Sequence, residues 1–341
     1  MAPIIRVEGL TKQYKLYERK PGLWGSVSTL FSRRHRIVRA VDNISFNVAP
    51  GARVAYLGPN GAGKSTTIKI LAGIVTPTSG RCEVAGVVPY RERVRNAANI
   101  GVVFGQRSQL WWDLPVADSF AILRRIYAIS PAVYDKNMRL FRELLDIDQL
   151  AAVPVRKLSL GQRMRVEIAA SFLHDPRVVF LDEPTIGLDA ILKQAIRTLI
   201  RRMNEEVGTT IVLTSHDMDD VSEICDDLIL IDKSRVVYQG TVAALNSMEQ
   251  RRSVLFDYRP APAAAEALAR LAQHFPAIDA VTPQAQGRAR IDFRRDALDL
   301  PALIAHLFRE FDIVDFYSLA PDLEEIIRGV YQAGMPNQRA A

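Results

Sequence analysis

The stretch "ARVAYLGPNGAGKSTTIKILAG", residues 52 to 73, decides the fold. Its apolar opening, Arg53 to Leu57, predicts a short strand; a glycine loop follows, and a helix is predicted from about Lys64 to Leu71. Gly58, Gly63, Lys64 and Ser65 satisfy G-x-x-x-x-G-K-[ST] in the strand–loop–helix setting that gives this pattern its meaning. In such a loop, here Gly58, Pro59, Asn60, Gly61, Ala62, Gly63, Lys64, Ser65 and Thr66, the glycines let successive N–H groups face phosphate oxygens. Lys64 has the reach for β and γ phosphates, and the Ser65 hydroxyl suits Mg²⁺. A plain glycine turn between strand and helix is the bland alternative, and the full motif in context argues against it.

Two downstream segments supply the groups that phosphoryl transfer needs. "RVVFLDEPTIGLD", 177 to 189, holds an unbroken apolar run from Val178 to Leu181, as expected of a parallel strand buried on both faces. It ends in Asp182 and Glu183. Adjacent strand residues point to opposite faces, so Asp182 is expected toward a metal and Glu183 toward a volume where an attacking water could sit. "TTIVLTSHD", 209 to 217, repeats the arrangement: a strand from Thr210 to Leu213, then His216. A lone His at a strand end is usually a polar loop residue; beside a phosphate loop it becomes a candidate γ-phosphate contact.

A second anion site is expected within "KLSLGQRMRVE", 157 to 167. Ser159, Leu160, Gly161 and Gln162 open what reads as an amphipathic helix, and helix starts bind anions through unpaired N–H groups and the helix dipole. One domain with two phosphate sites needs an explanation.

Bulk properties exclude little. The 341 residues suffice for one large domain and a smaller one. A formal net charge of +6 is mildly basic and compatible with nucleotide, membrane surface or nucleic acid. Cys82 and Cys225 stand far apart in no metal spacing, which fits a reducing cytosolic setting. The segment "MAPIIRVEGLTKQYK" has no apolar core of signal-peptide length, and no run reaches the roughly 18 apolar residues of a membrane-spanning helix.

Taken together, the ordered segments resemble the nucleotide-binding subunit of ATP-binding cassette (ABC) transporters over about residues 4 to 245: Tyr14, "GPNGAGKST", Gln106 in "VVFGQRSQ", "LSLGQ", "VVFLDEP", Asp189 in "GLD", and His216. The resemblance implies a P-loop NTPase cassette of α/β class, with a RecA-like core, an antiparallel β subdomain and a helical subdomain, using ATP and Mg²⁺. It implies that Tyr14 stacks on adenine, that Ser65, Gln106 and Asp182 arrange the metal, that Glu183, His216 and Lys64 serve hydrolysis, and that Asp189 takes part in communication across a dimer. It also resolves the second site. In that family the signature caps ATP held by another copy, so Ser159, Leu160, Gly161 and Gln162 are expected to act in trans. With one cassette per chain, a homodimer or a dimer with a related subunit follows. Two departures stand out: Leu160 where the family usually has Gly, and Ile186 where a small polar residue is commoner.

Among ABC families, the segments around Gln106 and the signature look most like ATPases of type-2 exporters, including a branch tied to viologen-like cationic drugs. Export of cell-surface polysaccharide is the alternative cargo class. Such a subunit works peripherally, at the cytoplasmic face of the inner or plasma membrane, through transmembrane permease subunits. No nucleic-acid partner is expected: ribosomal relatives typically carry two cassettes in one chain, and DNA-repair relatives a long coiled coil that is absent between Lys64 and Ser159. A kinase would need an acceptor site in place of the signature.

Three further segments bear on partners. "PGLWGSVSTLFSRRHR", 21 to 36, lies inside an insertion expected over 15–39 and reads as a basic amphipathic helix, either at a membrane or permease surface or packed on its own domain. Trp111 and Trp112 are either interface anchors or core. The tail, 246–341, reads as β-α-β-β-α-β plus a final helix, a small ferredoxin-like α+β domain of regulatory or dimerising role.

Overall fold

The computed structural model describes residues 2–17, 35–105, 108–248, 251–284, 287–294, 296–319, 323–333 and 338–339. The chain divides into two compact units, Met1–Val242 with Gly334–Ala341, and Ala243–Ala333. Gln338 and Arg339 therefore belong with the first unit, which departs from the single tail expected over 246–341.

The first unit opens with β1 (Ile5–Tyr17) and β2 (His35–Val48), paired antiparallel from Ile5↔Val48 to Tyr17↔His35. Strand pairing thus runs into both ends of the expected insertion. Lys15↔Ile37 and Leu16↔Arg36 are ladder pairs, so Arg36 ends no helix. The helix expected over 21–36 otherwise falls outside the described residues. β3 (Arg53–Leu57) leads through the glycine loop into α1 (Lys64–Leu71), and β4 (Ser79–Val84) completes a three-stranded sheet in the order β2-β1-β4.

After α2 (Arg93–Asn99) and β5 (Ile100–Phe104) comes a helical layer: α3 (Val116–Ile126), α4 (Pro131–Leu145) and α5 (Leu160–Phe172). The chain then returns through β6 (Val178–Asp182), α6 (Ala190–Val207), β7 (Thr210–Thr214), α7 (Met218–Ile224), β8 (Asp227–Asp232) and β9 (Arg235–Thr241). The second unit carries most of α8 (Val242–Met248), then β10 (Arg251–Tyr258), α9 (Ala264–His274), β11 (Ile278–Gln284), β12 (Arg288–Arg294), α10 (Leu300–Glu310), β13 (Ile313–Leu319) and α11 (Leu323–Ala333). A two-residue strand, β14 (Gln338–Arg339), pairs parallel with β9, which is why the tail's end belongs to the first unit.

The large sheet has the order β14-β9-β8-β3-β7-β6-β5, parallel throughout except β8–β9. Val178, Val179, Phe180 and Leu181 of β6 are fully buried, as are Ile211 and Leu213 of β7. Burial on both faces is why these strands are written as apolar runs without alternation. The second unit has a four-stranded antiparallel sheet, β11-β12-β10-β13, over one core that joins Val254, Phe256, Ile291 and Phe293 to Leu268 and Leu271 of α9 and Leu303 and Leu307 of α10. That order, with two crossover helices, is the ferredoxin-like arrangement expected of the tail.

One packing feature gives a pH prediction. His174 stacks on Tyr127 with ring centroids 4.0 Å apart, and its Nε2 lies 3.1 Å from the Ile100 carbonyl oxygen. Burial holds its pKa down from 6.5 to about 4. The folded state therefore resists protonation that the unfolded chain accepts, so stability is lost as the pH falls from about 6.5 through about 4. His174→Phe, which keeps the stack, should gain on the wild type by about 2 kcal/mol between neutral pH and about pH 4.5. Denaturant unfolding of both proteins at the two pH values measures it.

Candidate functional site

The parallel register sets the site. Asp182 pairs with Thr214 across β6–β7, and β3 runs beside β7, so three loops leave the same edge of the sheet at neighbouring strand ends. Crevices at the carboxyl ends of parallel strands are where such sheets bind ligands. A cleft of about 1180 Å³ opens there, lined by Tyr14, Pro59, Asn60, Gly61, Gly63, Lys64, Ser65, Thr66, Asp182 and Glu183 among others.

The loop has little freedom to be anything else. Gly63 has φ 102°, and a Cβ there would run into the Ala40 carbonyl; a Cβ on Gly58 would strike Ile231. Gly63 is also the N-cap of α1, so the first-turn N–H groups of that helix donate to no N-cap side chain. The Lys64 ammonium donates to the Gly58 carbonyl, and to that of Pro59 at 3.4 Å. Burial lowers the Lys64 pKa, while Glu183 and then Asp182 act to raise it.

Asp182 ends β6. Its Oδ2 accepts from the Ser65 hydroxyl at 3.3 Å and its Oδ1 from the Thr214 hydroxyl at 2.6 Å. Glu183 departs from the strand alternation expected of it: its φ is +55°, and its N–H donates to the Thr214 carbonyl at 3.0 Å. Left-handed backbone is uncommon for a residue with a side chain. The turn separates the two carboxylates, Asp182 toward Ser65 and Glu183 toward His216, whose Nδ1 lies 2.6 Å from Glu183 Oε2. His216 itself stands two residues beyond the end of β7.

Ser159, Leu160, Gly161 and Gln162 are not among the residues lining this cleft. Ser159 caps α5 in a reciprocal box: its hydroxyl accepts from Gln162 N–H at 3.3 Å, and Gln162 Oε1 accepts from Ser159 N–H at 2.9 Å. Two of the N–H donors expected for an anion are thus paired within the helix. Nor is α5 amphipathic, because every residue from Val166 to Phe172 is buried. Leu160 is exposed, as is Ile186. Asp189 caps α6, accepting from Leu192 N–H at 2.9 Å. Tyr14 is 38% exposed, with the Lys12 ammonium 5.0 Å from its ring centroid. Gln106 lies outside the described residues. Trp111 and Trp112 are 38% and 50% exposed, which rules out burial, and the Arg163 guanidinium sits 5.7 Å from the Trp112 ring.

Sequence reading missed three contributors. Thr214 holds Asp182, and its place at the end of an apolar strand was a usable signal. Glu167, buried on α5, accepts from the Ser108 hydroxyl and from Gln109 N–H at 3.1 Å, tying the segment after Gln106 to the signature helix; burial raises its pKa. Asp220 joins three separate segments, and no spacing reveals it.

A glycine loop feeding an uncapped helix, with an Asp–Glu pair and a His at adjacent strand ends, defines a P-loop nucleoside triphosphatase. The family model described as ABC transporter matches residues 41–186. The "Nod factor export ATP-binding protein I" of Ralstonia nicotianae is 35% identical over 238 residues, covering 70% of this chain and 67% of that protein. The "Methionine import ATP-binding protein MetN" of Haemophilus influenzae is 33% identical over 224 residues, covering 64% of this chain and 65% of that protein. Among solved structures, an ATP-binding cassette described as a dimeric post-hydrolysis state bound to ADP and Pi superposes with a TM-score of 0.58 at 25% identity, over 70% of this chain and 98% of that one. The chain belongs to the ATP-binding subunits of ABC transporters, and it hydrolyses ATP. Among the described residues, no helix is long and apolar enough to cross a membrane.

Proposed function

We propose that two copies of this chain, or one copy and a close relative, close head to tail around two ATP molecules, and that closure and release drive the permease subunits of a type-2 exporter at the cytoplasmic face of the membrane. The observation that carries the reading is the absence of Ser159, Leu160, Gly161 and Gln162 from the cleft that Lys64 and Asp182 line. A signature that does not face its own phosphate loop serves a neighbour's nucleotide.

In each site Lys64 and the loop N–H groups grip the phosphates. Glu183, aimed by its left-handed backbone, orients and deprotonates the attacking water, and His216 steadies Glu183 and the γ-phosphate. The Ser65 hydroxyl and Asp182 carboxylate are hard oxygen donors that fit Mg²⁺, which when bound neutralises phosphate charge. The partner's Ser159 hydroxyl can still donate while its oxygen caps α5. Asp189, rooted at the start of α6, carries the state of one site to the other.

Tyr14 stacks on adenine. Tyr14→Ala should weaken ATP binding by roughly tenfold or more, since base–aromatic stacking is worth about 1–3 kcal/mol, while Tyr14→Phe stays near wild type. Equilibrium titration with a fluorescent ATP analogue measures both.

Export is supported by the resemblance around Trp111 and the signature and by the export name that the Ralstonia relative carries, and a small cationic drug as cargo by that resemblance alone. The test is methyl viologen accumulation in source cells whose only copy of this subunit is Lys64→Ala. Raised accumulation over wild type fits efflux; lowered accumulation means import, and an unchanged level removes this cargo class.

A further inference from the structure

Asp220 sits on α7, four residues after His216, and is 0% exposed. A lone buried carboxylate is costly, so its partners matter. Its Oδ1 accepts from Arg197, Nε at 2.7 Å and Nη2 at 2.6 Å. Its Oδ2 accepts from the Thr185 hydroxyl and from the Ser215 hydroxyl at 3.2 Å. All three donor residues are themselves buried.

Each donor belongs to a segment that carries a group of the ATP site. Thr185 lies two residues past Glu183, and Ser215 directly precedes His216. Arg197 is on α6, the helix that Asp189 caps. Asp220 itself does not line the nucleotide cleft. Apolar packing could hold three segments together without desolvating a charge. What a carboxylate adds is direction: Oδ2 accepts from both hydroxyls along set lines, fixing the two hydroxyl-bearing turns against each other, while Oδ1 takes Arg197. The site has a need for this. Glu183 holds an uncommon backbone conformation, and such residues persist only where the surroundings enforce them. Its N–H is bonded to Thr214 on one side, and the chain two residues later is bonded to Asp220 on the other.

We propose that Asp220 is a positioning residue for hydrolysis, locking the turn after Glu183 to the turn before His216 so that the 2.6 Å contact between those two side chains is kept. The proposal rests on Glu183 and His216 being the hydrolytic pair. Asp220 is fully buried behind the cleft lining; it sets where Glu183 and His216 stand.

Asp220→Asn takes from the buried Arg197 guanidinium its buried carboxylate partner, leaving it Glu223 at 2.7 Å, and can simply unfold the cassette, so the decisive variants remove single hydroxyls. Thr185→Val and Ser215→Ala in the full-length chain should each lower kcat about tenfold, with KM for ATP and ATP affinity within about twofold, the split expected when an interaction matters only in the transition state. Thr185→Ser, which restores the hydroxyl, should recover most of the turnover. A purely structural role would lower the melting temperature and leave kcat in place, and that result for both variants overturns the proposal. Glu183→Gln run alongside separates the two failures. If it is inactive while Thr185→Val and Ser215→Ala turn over normally, only the Asp220 assignment falls; if Glu183→Gln turns over normally, the hydrolytic pair falls and Asp220 with it.

Discussion

Glu183→Gln should lower ATP turnover by about 10²- to 10⁴-fold, the range that a positioned general base contributes, while ATP affinity stays within a few-fold of wild type. Gln matches Glu in size, keeps the backbone bond to Thr214, and can still hydrogen-bond His216, so the turn that aims the side chain is retained. What is lost is the negative oxygen that takes a proton from water. A fall in kcat without a matching rise in KM marks an interaction needed in the transition state and not for binding. Phosphate release under steady state, with ATP binding measured separately, tests it. Near-normal turnover would move the base elsewhere, with His216 the next candidate.

Lys64→Ala should act on both steps. The ammonium is partly buried, drawn to the Gly58 and Pro59 carbonyls, and faces the carboxylates of Asp182 and Glu183. In the proposed site that placement sets a cation against the β and γ phosphates, among acidic groups that would otherwise repel them. Losing a charge-assisted hydrogen bond costs about 1.5–3 kcal/mol, or roughly 10- to 100-fold in ATP affinity. Turnover should fall further, by about 10³-fold, because the developing charge on the transferred group is stabilised by the same cation. Lys64→Arg should not restore activity, since a planar fork cannot replace a compact ammonium in this loop. Titration with an ATP analogue and a phosphate-release assay report the two losses separately.

The phosphate loop and strands β3, β6 and β7 were legible because their signals are local. A glycine motif needs only its own residues, and a strand buried on both faces is written as an apolar run. The second unit was legible for the same reason: alternation in "RARIDFR" and helical spacing over Leu300–Glu310 carry their own period. The S-x-x-Q spacing of Ser159 and Gln162 is a capping signature and was there to be read. The role of Glu183 was legible but its backbone was not, because strand alternation does not extend one residue beyond the last residue of β6, where the backbone turns left-handed. Nor was Asp220, whose partners lie 5, 23 and 35 residues away in sequence and meet only once the sheet has formed. The pairing of Gln338 and Arg339 with β9 is equally non-local.

The central claim is that the signature of one copy closes on the nucleotide of another. The most direct test is the mass of Glu183→Gln by light scattering, with and without Mg-ATP, beside Glu183→Gln carrying Gly161→Glu as well. Gly161 is in the signature and does not line the cleft of Lys64 and Asp182, and a Cβ there meets Leu192 at 3.1 Å, so the second change should leave ATP binding intact while displacing the signature turn and setting a negative charge beside it. The account predicts that Glu183→Gln doubles in mass on adding Mg-ATP and that the double variant binds ATP but stays monomeric. A Glu183→Gln protein that remains monomeric at saturating ATP, or a double variant that still doubles, would contradict it.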